Sequence, residues 1–194
     1  MQGDARNGTN RRRLLFLTGL ALIFTTLCVT ATNSRAIERY GSAAVALHWI
    51  TALLILANLL LGISMVPLPL SIRKLHWYSW HKWIGTTVFL LTCARLLWRT
   101  THPAPPAVAM PAWQRHAATF SHTLLYVLML VIPLSGWLYS SSTGVQVVYL
   151  GLVPLPDLVP KDRELAATLK AVHVSLNITM VIMIVIHAAA AVKQ

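Results

Sequence analysis

The sequence predicts an all-α fold: a membrane four-helix bundle with an additional N-terminal hydrophobic helix or signal-like segment. Three observations predict it. Apolar residues make up 56% of the 194-residue chain and charged residues only 11%, whereas soluble domains carry about 25% charged residues. The apolar residues gather into five runs, and the last four are near the roughly 20 residues a helix needs to cross a bilayer core. Prolines and most of the charge lie between the runs. In lipid every backbone polar group must be paired within the chain, so such spans are helices rather than open strands.

The first run, Leu14 to Ala31, follows the basic triplet Arg11-Arg12-Arg13 and ends on small residues. A basic stretch, an apolar stretch and small residues describe a signal peptide, an uncleaved anchor helix, or sequence upstream of the true start. Residues 1–36 are therefore set apart from a bundle domain over residues 37–194. The bundle's spans are about Ala43 to Val66, Trp80 to Trp98, Thr119 to Tyr139 and Leu165 to Val192. Pro67 and Pro69 end the first of these, and Pro103, Pro105, Pro106 and Pro111 separate the second from the third. The longest connection, Ser140 to Glu164, carries glycines, prolines and an apolar patch from Val145 to Val153. It is expected to lie on the membrane surface or to cap the bundle.

The formal charge is +11, from 16 Lys+Arg against 5 Asp+Glu. These cations flank apolar runs, so lipid headgroups explain them before nucleic acid does, and no nucleic-acid partner is expected. They do not choose an orientation. Arg35, Arg39, Arg95, Arg99, Arg115 and Lys193 fall on the side where the bundle begins (side A). Arg73, Lys74, Lys82, Lys161, Arg163 and Lys170 fall on the other (side B). Cys28 and Cys93 both lie in apolar runs, without a C-x-x-C-H motif, so neither a covalent haem nor a disulfide framework is expected.

Ionisable residues in or near spans are functional candidates, and the chain has eight histidines. With alternating helix directions, His48 and His187 fall near side A, and His81 and His173 near side B. His173 and His187 are 14 residues apart, about 40° short of four full turns and about 21 Å along the axis. They therefore project from one face at two depths, which suits two b-type haems stacked across the membrane. Depth pairs His48 with His187 on one iron and His81 with His173 on the other. Two axial imidazoles give a six-coordinate iron suited to electron transfer.

The neighbouring residues have two readings each. Gly62 lies 14 residues after His48 and Gly85 four after His81; glycine there admits either a porphyrin or a close helix neighbour. Arg95 and Arg39 are candidate partners of a haem propionate on side A, or arginines snorkelling at helix ends. Trp49, Trp83 and Trp98 suit an interfacial belt as well as haem packing. His122 is a competing ligand, a propionate partner, part of a quinone site or an interface residue. His76, His102 and His116 are expected in solvent or at the interface.

The segments Arg39-Tyr40-Gly41, Leu47-His48-Trp49, His81-Lys82-Trp83-Ile84-Gly85 and Arg95-Leu96-Leu97-Trp98-Arg99 resemble the bacterial cytochrome b561 family. So do Pro103-Ala104-Pro105-Pro106, His122 to Tyr126 with Pro133, and Lys170 to His173 followed by His187-Ala188-Ala189-Ala190-Ala191. This family is related to the cytochrome b subunits of nickel hydrogenases and formate dehydrogenases. The resemblance covers about Ile37 onward and leaves Met1 to Ser34 outside. It implies two haem b with His48, His81, His173 and His187 as iron ligands, and a cytoplasmic side A in a bacterial inner membrane. It also implies electron transfer to or from a quinone such as ubiquinone, in some members with superoxide as donor. The alternative is a membrane subunit taking electrons from a partner dehydrogenase or hydrogenase.

Overall fold

The computed structural model describes residues 41–102 and 110–193. Four long helices account for most of them: α1 (Ser42–Met65), α2 (Ile72–Thr101), α3 (Ala112–Thr143) and α4 (Arg163–Lys193). The N-terminal run with Cys28, together with Arg39, Pro103, Pro105 and Pro106, lies outside the described residues.

Local chemistry sets the helix ends. α1 ends at Met65 with Val66 still in helical backbone (φ -61°, ψ -50°); Pro67 follows, and it has no N–H to carry the helical hydrogen bonds on. The Ser71 hydroxyl accepts the Lys74 amide at 3.3 Å and starts α2. Gly144, at φ 74°, closes α3 in the left-handed region. One Asp162 carboxylate oxygen accepts the amides of Glu164 (2.8 Å) and Leu165 (3.0 Å), capping α4.

α2 and α3 extend well beyond their apolar runs, to 30 and 32 residues, whereas α1 and α4 keep close to theirs at 24 and 31 residues. α1, α3 and α4 are long and apolar enough to cross a membrane. α2 has the length but is more polar, since it carries Arg73, Lys74, Lys82, Arg95 and Arg99 along with several threonines. Most large apolar side chains on the outer faces are exposed, Leu53, Leu60, Ile63, Leu97, Phe120 and Val185 among them. Lipid is the solvent that makes such a surface stable.

Packing follows chain order: α1 on α2, α2 on α3 and α3 on α4. The core between α3 and α4 is built on Leu128, Met180 and Met183. α4 makes no extensive backbone contact with α1 or α2.

The Ser140–Glu164 connection caps the bundle at side B, one of the two placements expected for it. It departs from a purely helical fold in one respect. A two-stranded antiparallel hairpin, β1 (Val148–Tyr149) and β2 (Val153–Pro154), forms within it. Leu150 and Gly151 turn the hairpin with φ 52° and 73°, and glycine takes that backbone without strain. The Trp83 indole N–H donates to the Val148 carbonyl at 2.7 Å, and Thr87 and Tyr149 share a hydroxyl hydrogen bond of 3.0 Å. The Trp137 indole donates to Pro156 at 3.0 Å. These bonds dock the hairpin on α2 and the loop's return on α3.

Candidate functional site

Side chains recurring every three or four residues form the inner stripe of α4. His173, Leu176, Asn177, Met180, Met183, Ile184 and His187 are all at least partly buried, whereas Val174, Ile178, Val181, Ile182, Val185 and Ile186 are exposed. The two histidines thus share one face, as their spacing predicts. His48 on α1 and His81 on α2 are likewise half-buried. All four imidazoles face the side of the bundle where α4 stands apart from α1 and α2.

The rings meet in the pairs expected from depth. The centroids of His48 and His187 are 6.3 Å apart, and those of His81 and His173 6.2 Å. An imidazole nitrogen binds a transition metal at about 2.0–2.1 Å, and adding about 1.1 Å from nitrogen to ring centre puts two trans ligands about 6.2–6.4 Å apart. Both separations are therefore compatible with one iron held between the rings of each pair. No cluster of three or more His, Cys, Asp or Glu side chains suited to a metal occurs among the described residues. A haem needs only two protein ligands, its macrocycle supplying the rest.

Glycine fits the side B pair closely. A Cβ on Gly62 would lie 3.2 Å from His81 Cε1, and a Cβ on Gly136 would lie 3.0 Å from His173 Cε1. Backbone therefore occupies the space beside each ring. A Cβ on Gly85 would meet only Asn58 Nδ2, at 3.6 Å, so Gly85 serves the α1–α2 packing. A small cleft of about 40 Å³ lies between the depths of the two pairs, lined in part by Asn58, Gly85, Met129, Pro133 and Asn177. Pro133 has no N–H, which leaves the Met129 carbonyl without its helical donor at that level.

Polar support differs between the rings. Ser135 Oγ lies 2.9 Å from His173 Nδ1, whereas His81 Nδ1 is buried without a hydrogen-bond partner. Arg95 Nη1 stands 3.4 Å from His48 Nδ1. Arginine only donates, so in this contact His48 Nδ1 accepts. An imidazole bound to iron through Nε2 carries its proton on Nδ1, so this one contact does not favour that ligation. Arg95 also lies over the Tyr126 ring, 5.7 Å from its centroid. His122 is exposed and its ring is 5.5 Å from that of His187, which makes it a third imidazole at side A. His76, His102 and His116 are exposed, and His102 stacks on Trp98 at 3.9 Å. The Trp49 ring is set edge-on to His48 at 5.5 Å.

Ser135, Gly136 and Asn177 did not emerge from the sequence as site residues. Ser135-Gly136 follows Pro133 inside an apolar run, and a hydroxyl beside a glycine at that depth is the signal that could have marked them.

The prokaryotic cytochrome b561 family matches residues 39–194. Cytochrome b561 homolog 2 of Escherichia coli (strain K12) is 31% identical over 162 residues, covering 81% of this chain and 85% of that protein. Cytochrome b561 homolog 1 of the same strain is 28% identical over 143 residues, covering 70% and 78%. The probable superoxide oxidase CybB of Yersinia pestis is 26% identical over 159 residues, covering 79% and 87%. With its helices, its paired imidazoles and these relatives together, the chain belongs to the prokaryotic cytochrome b561 family of b-type haem proteins that transfer electrons in membranes.

Proposed function

We propose that residues 37–194 form a di-haem, quinone-linked electron carrier of the bacterial inner membrane. His48 and His187 hold one haem iron, and His81 and His173 the other. The observation that carries this reading is the pair of ring separations, 6.3 and 6.2 Å, at the two depths of one helix face. Each haem, when bound, supplies a one-electron couple whose iron has no open position for direct oxygen binding. The protein's part is to hold four imidazoles neutral and oriented, to exclude water with the α3–α4 core, and to offer each end of the bundle a different partner.

At side B the partner is a small reducing anion, and superoxide is the candidate. Arg73, Lys74, Lys82, Lys161, Arg163 and Lys170 outnumber Asp157, Asp162 and Glu164 there, and such a mouth draws anions in. Lys74 donates to the Leu68 carbonyl at 2.6 Å and Lys82 approaches the Val145 carbonyl at 3.4 Å, so backbone carbonyls help to hold these ammonium groups in place. The relative named probable superoxide oxidase supports the same reading. At side A the partner is ubiquinone, with exposed His122 and nearby Arg95 as polar contacts. The balance is two superoxide anions, one quinone and two protons giving two dioxygen molecules and one quinol.

The test is a reduced-minus-oxidised visible spectrum of the purified protein, followed by mixing with superoxide and ubiquinone. Two b-type haems per chain, reduced by superoxide and reoxidised by quinone, are expected. A colourless protein after expression with ample haem would sink the di-haem reading. Two haems that superoxide fails to reduce would remove the donor assignment and point to a partner dehydrogenase instead.

A further inference from the structure

Ser135 is buried in the C-terminal part of α3, two residues after Pro133. Its hydroxyl donates to the Ile132 carbonyl at 2.7 Å. That bond alone is the ordinary behaviour of a serine inside a helix. The second bond is not, because it crosses from α3 to α4 and reaches His173 Nδ1 at 2.9 Å. A hydroxyl has one proton. An imidazole bound to iron through Nε2 carries its own proton on Nδ1, and with the Ser135 proton on the Ile132 carbonyl the Ser135 Oγ can accept that N–H. A neutral imidazole protonated at Nδ1 has its lone pair at Nε2 alone.

The next residue limits the ring further. Gly136 sets backbone so close to His173 that an added Cβ would lie 3.0 Å from Cε1. Serine and glycine, adjacent in sequence, thus offer His173 Nδ1 a hydrogen-bond partner and limit where its ring can stand. The Nδ1 atoms of two other rings are placed differently: His81 Nδ1 is buried without a partner, and His48 Nδ1 faces a donor.

We propose that Ser135 is a positioning residue for the side B haem. Its hydroxyl accepts the His173 Nδ1–H, presents Nε2 to the iron and, by raising the basicity of the imidazole, lowers that haem's reduction potential. Hydrogen bonds from a ligand's second nitrogen have this effect on metal sites generally, and second-shell hydrogen bonding is one of the protein's levers on haem potential. The inference rests on the reading of His173 as an iron ligand.

The experiment uses the haem-loaded full chain and follows the visible haem bands as the applied potential is varied. Ser135→Ala is expected to move one of the two midpoint potentials upward and leave the other in place. Ser135→Thr, which keeps a hydroxyl, is expected to restore the wild-type value. If Ser135→Ala fails to hold the second haem, recovery of that haem in Ser135→Thr supports the positioning role, and its loss in both overturns it. Both haems present with unmoved potentials in Ser135→Ala also overturn it. His173→Ala separates the two layers. Retention of both haems there removes the ligand assignment itself, whereas loss of one haem beside unmoved potentials in Ser135→Ala removes only the role of Ser135.

Discussion

At side B each imidazole of the pair stands against a glycine: His81 by Gly62, and His173 by Gly136. His173 is oriented by a serine hydroxyl, and the Val145–Val153 segment covers that end through Trp83, Thr87 and Tyr149. At side A the pair His48 and His187 has the same ring separation within 0.1 Å, 6.3 against 6.2 Å, but different surroundings. An exposed third histidine lies 5.5 Å from His187, an arginine faces His48, and Trp49 stands edge-on to it. The side B rings are sterically specified by glycine and capped by the hairpin, whereas the side A pair has an exposed third imidazole and an arginine beside it. The difference teaches that one ring separation can be embedded in two environments, so the two ends of one bundle need not share the same chemistry or partner.

The strongest way to break this comparison is to remove ligands. His81→Ala or His173→Ala is expected to abolish the side B haem, and His48→Ala or His187→Ala the side A haem, each halving the haem absorbance per chain. A loss of both haems from any single change, with the helical circular dichroism intact, would show that the pairs are not independent. Crowding the rings comes next. Gly136→Ala and Gly62→Ala put a methyl 3.0 and 3.2 Å from imidazole carbons. Overpacking of this kind costs about 1–3 kcal/mol, so haem retention at side B should weaken while the side A band persists. Equal weakening of both bands would erase the proposed asymmetry.

A smaller effect is expected from charge. Arg95→Gln removes a cation next to His48 and should lower the midpoint potential of the side A haem, since a nearby positive charge favours the reduced, less positive centre. The side B value should stay, and the shift should shrink in salt only modestly because the site is partly buried. A shift at side B instead would place Arg95's influence on the wrong haem. The smallest effect belongs to the cap. Trp83→Phe deletes the 2.7 Å bond to Val148, worth about 0.5–1.5 kcal/mol. It should speed proteolysis within residues 145–160 without altering either haem spectrum; an altered spectrum would mean that the hairpin shapes the site as well as covering it.

Hydropathy and breakers, both local properties, determined the four helices and their order. A helix that exposes its side chains to lipid needs an apolar sequence along nearly its whole length, and Pro67, Ser71, Gly144 and Asp162 mark its ends through chemistry within a few residues. The common face of His173 and His187 was also legible, because 14 residues return nearly to the same angle on any α-helix. Depth matching then brought His48 to His187 and His81 to His173, since antiparallel spans of similar length leave little choice of level. The same reasoning overstated α2 as an apolar span, because a run from Trp80 to Trp98 looks continuous only when Lys82 and Arg95 are ignored.

Tertiary structure alone decided what surrounds each ring. Gly62 and Gly136 differ from Gly85 only in which neighbour they meet: two of them face imidazoles and the third faces Asn58. Which neighbour a glycine meets depends on the rotation of one helix against another, a quantity that no periodicity within a single helix encodes. The Ser135–His173 bond joins residues 38 apart, and the Thr87–Tyr149 bond joins residues 62 apart. The sequence by itself determined the levels of the four histidines, because depth follows from counting along one helix. The fold decided which of them is clamped, oriented or open, because those contacts arise only where separate helices are held side by side.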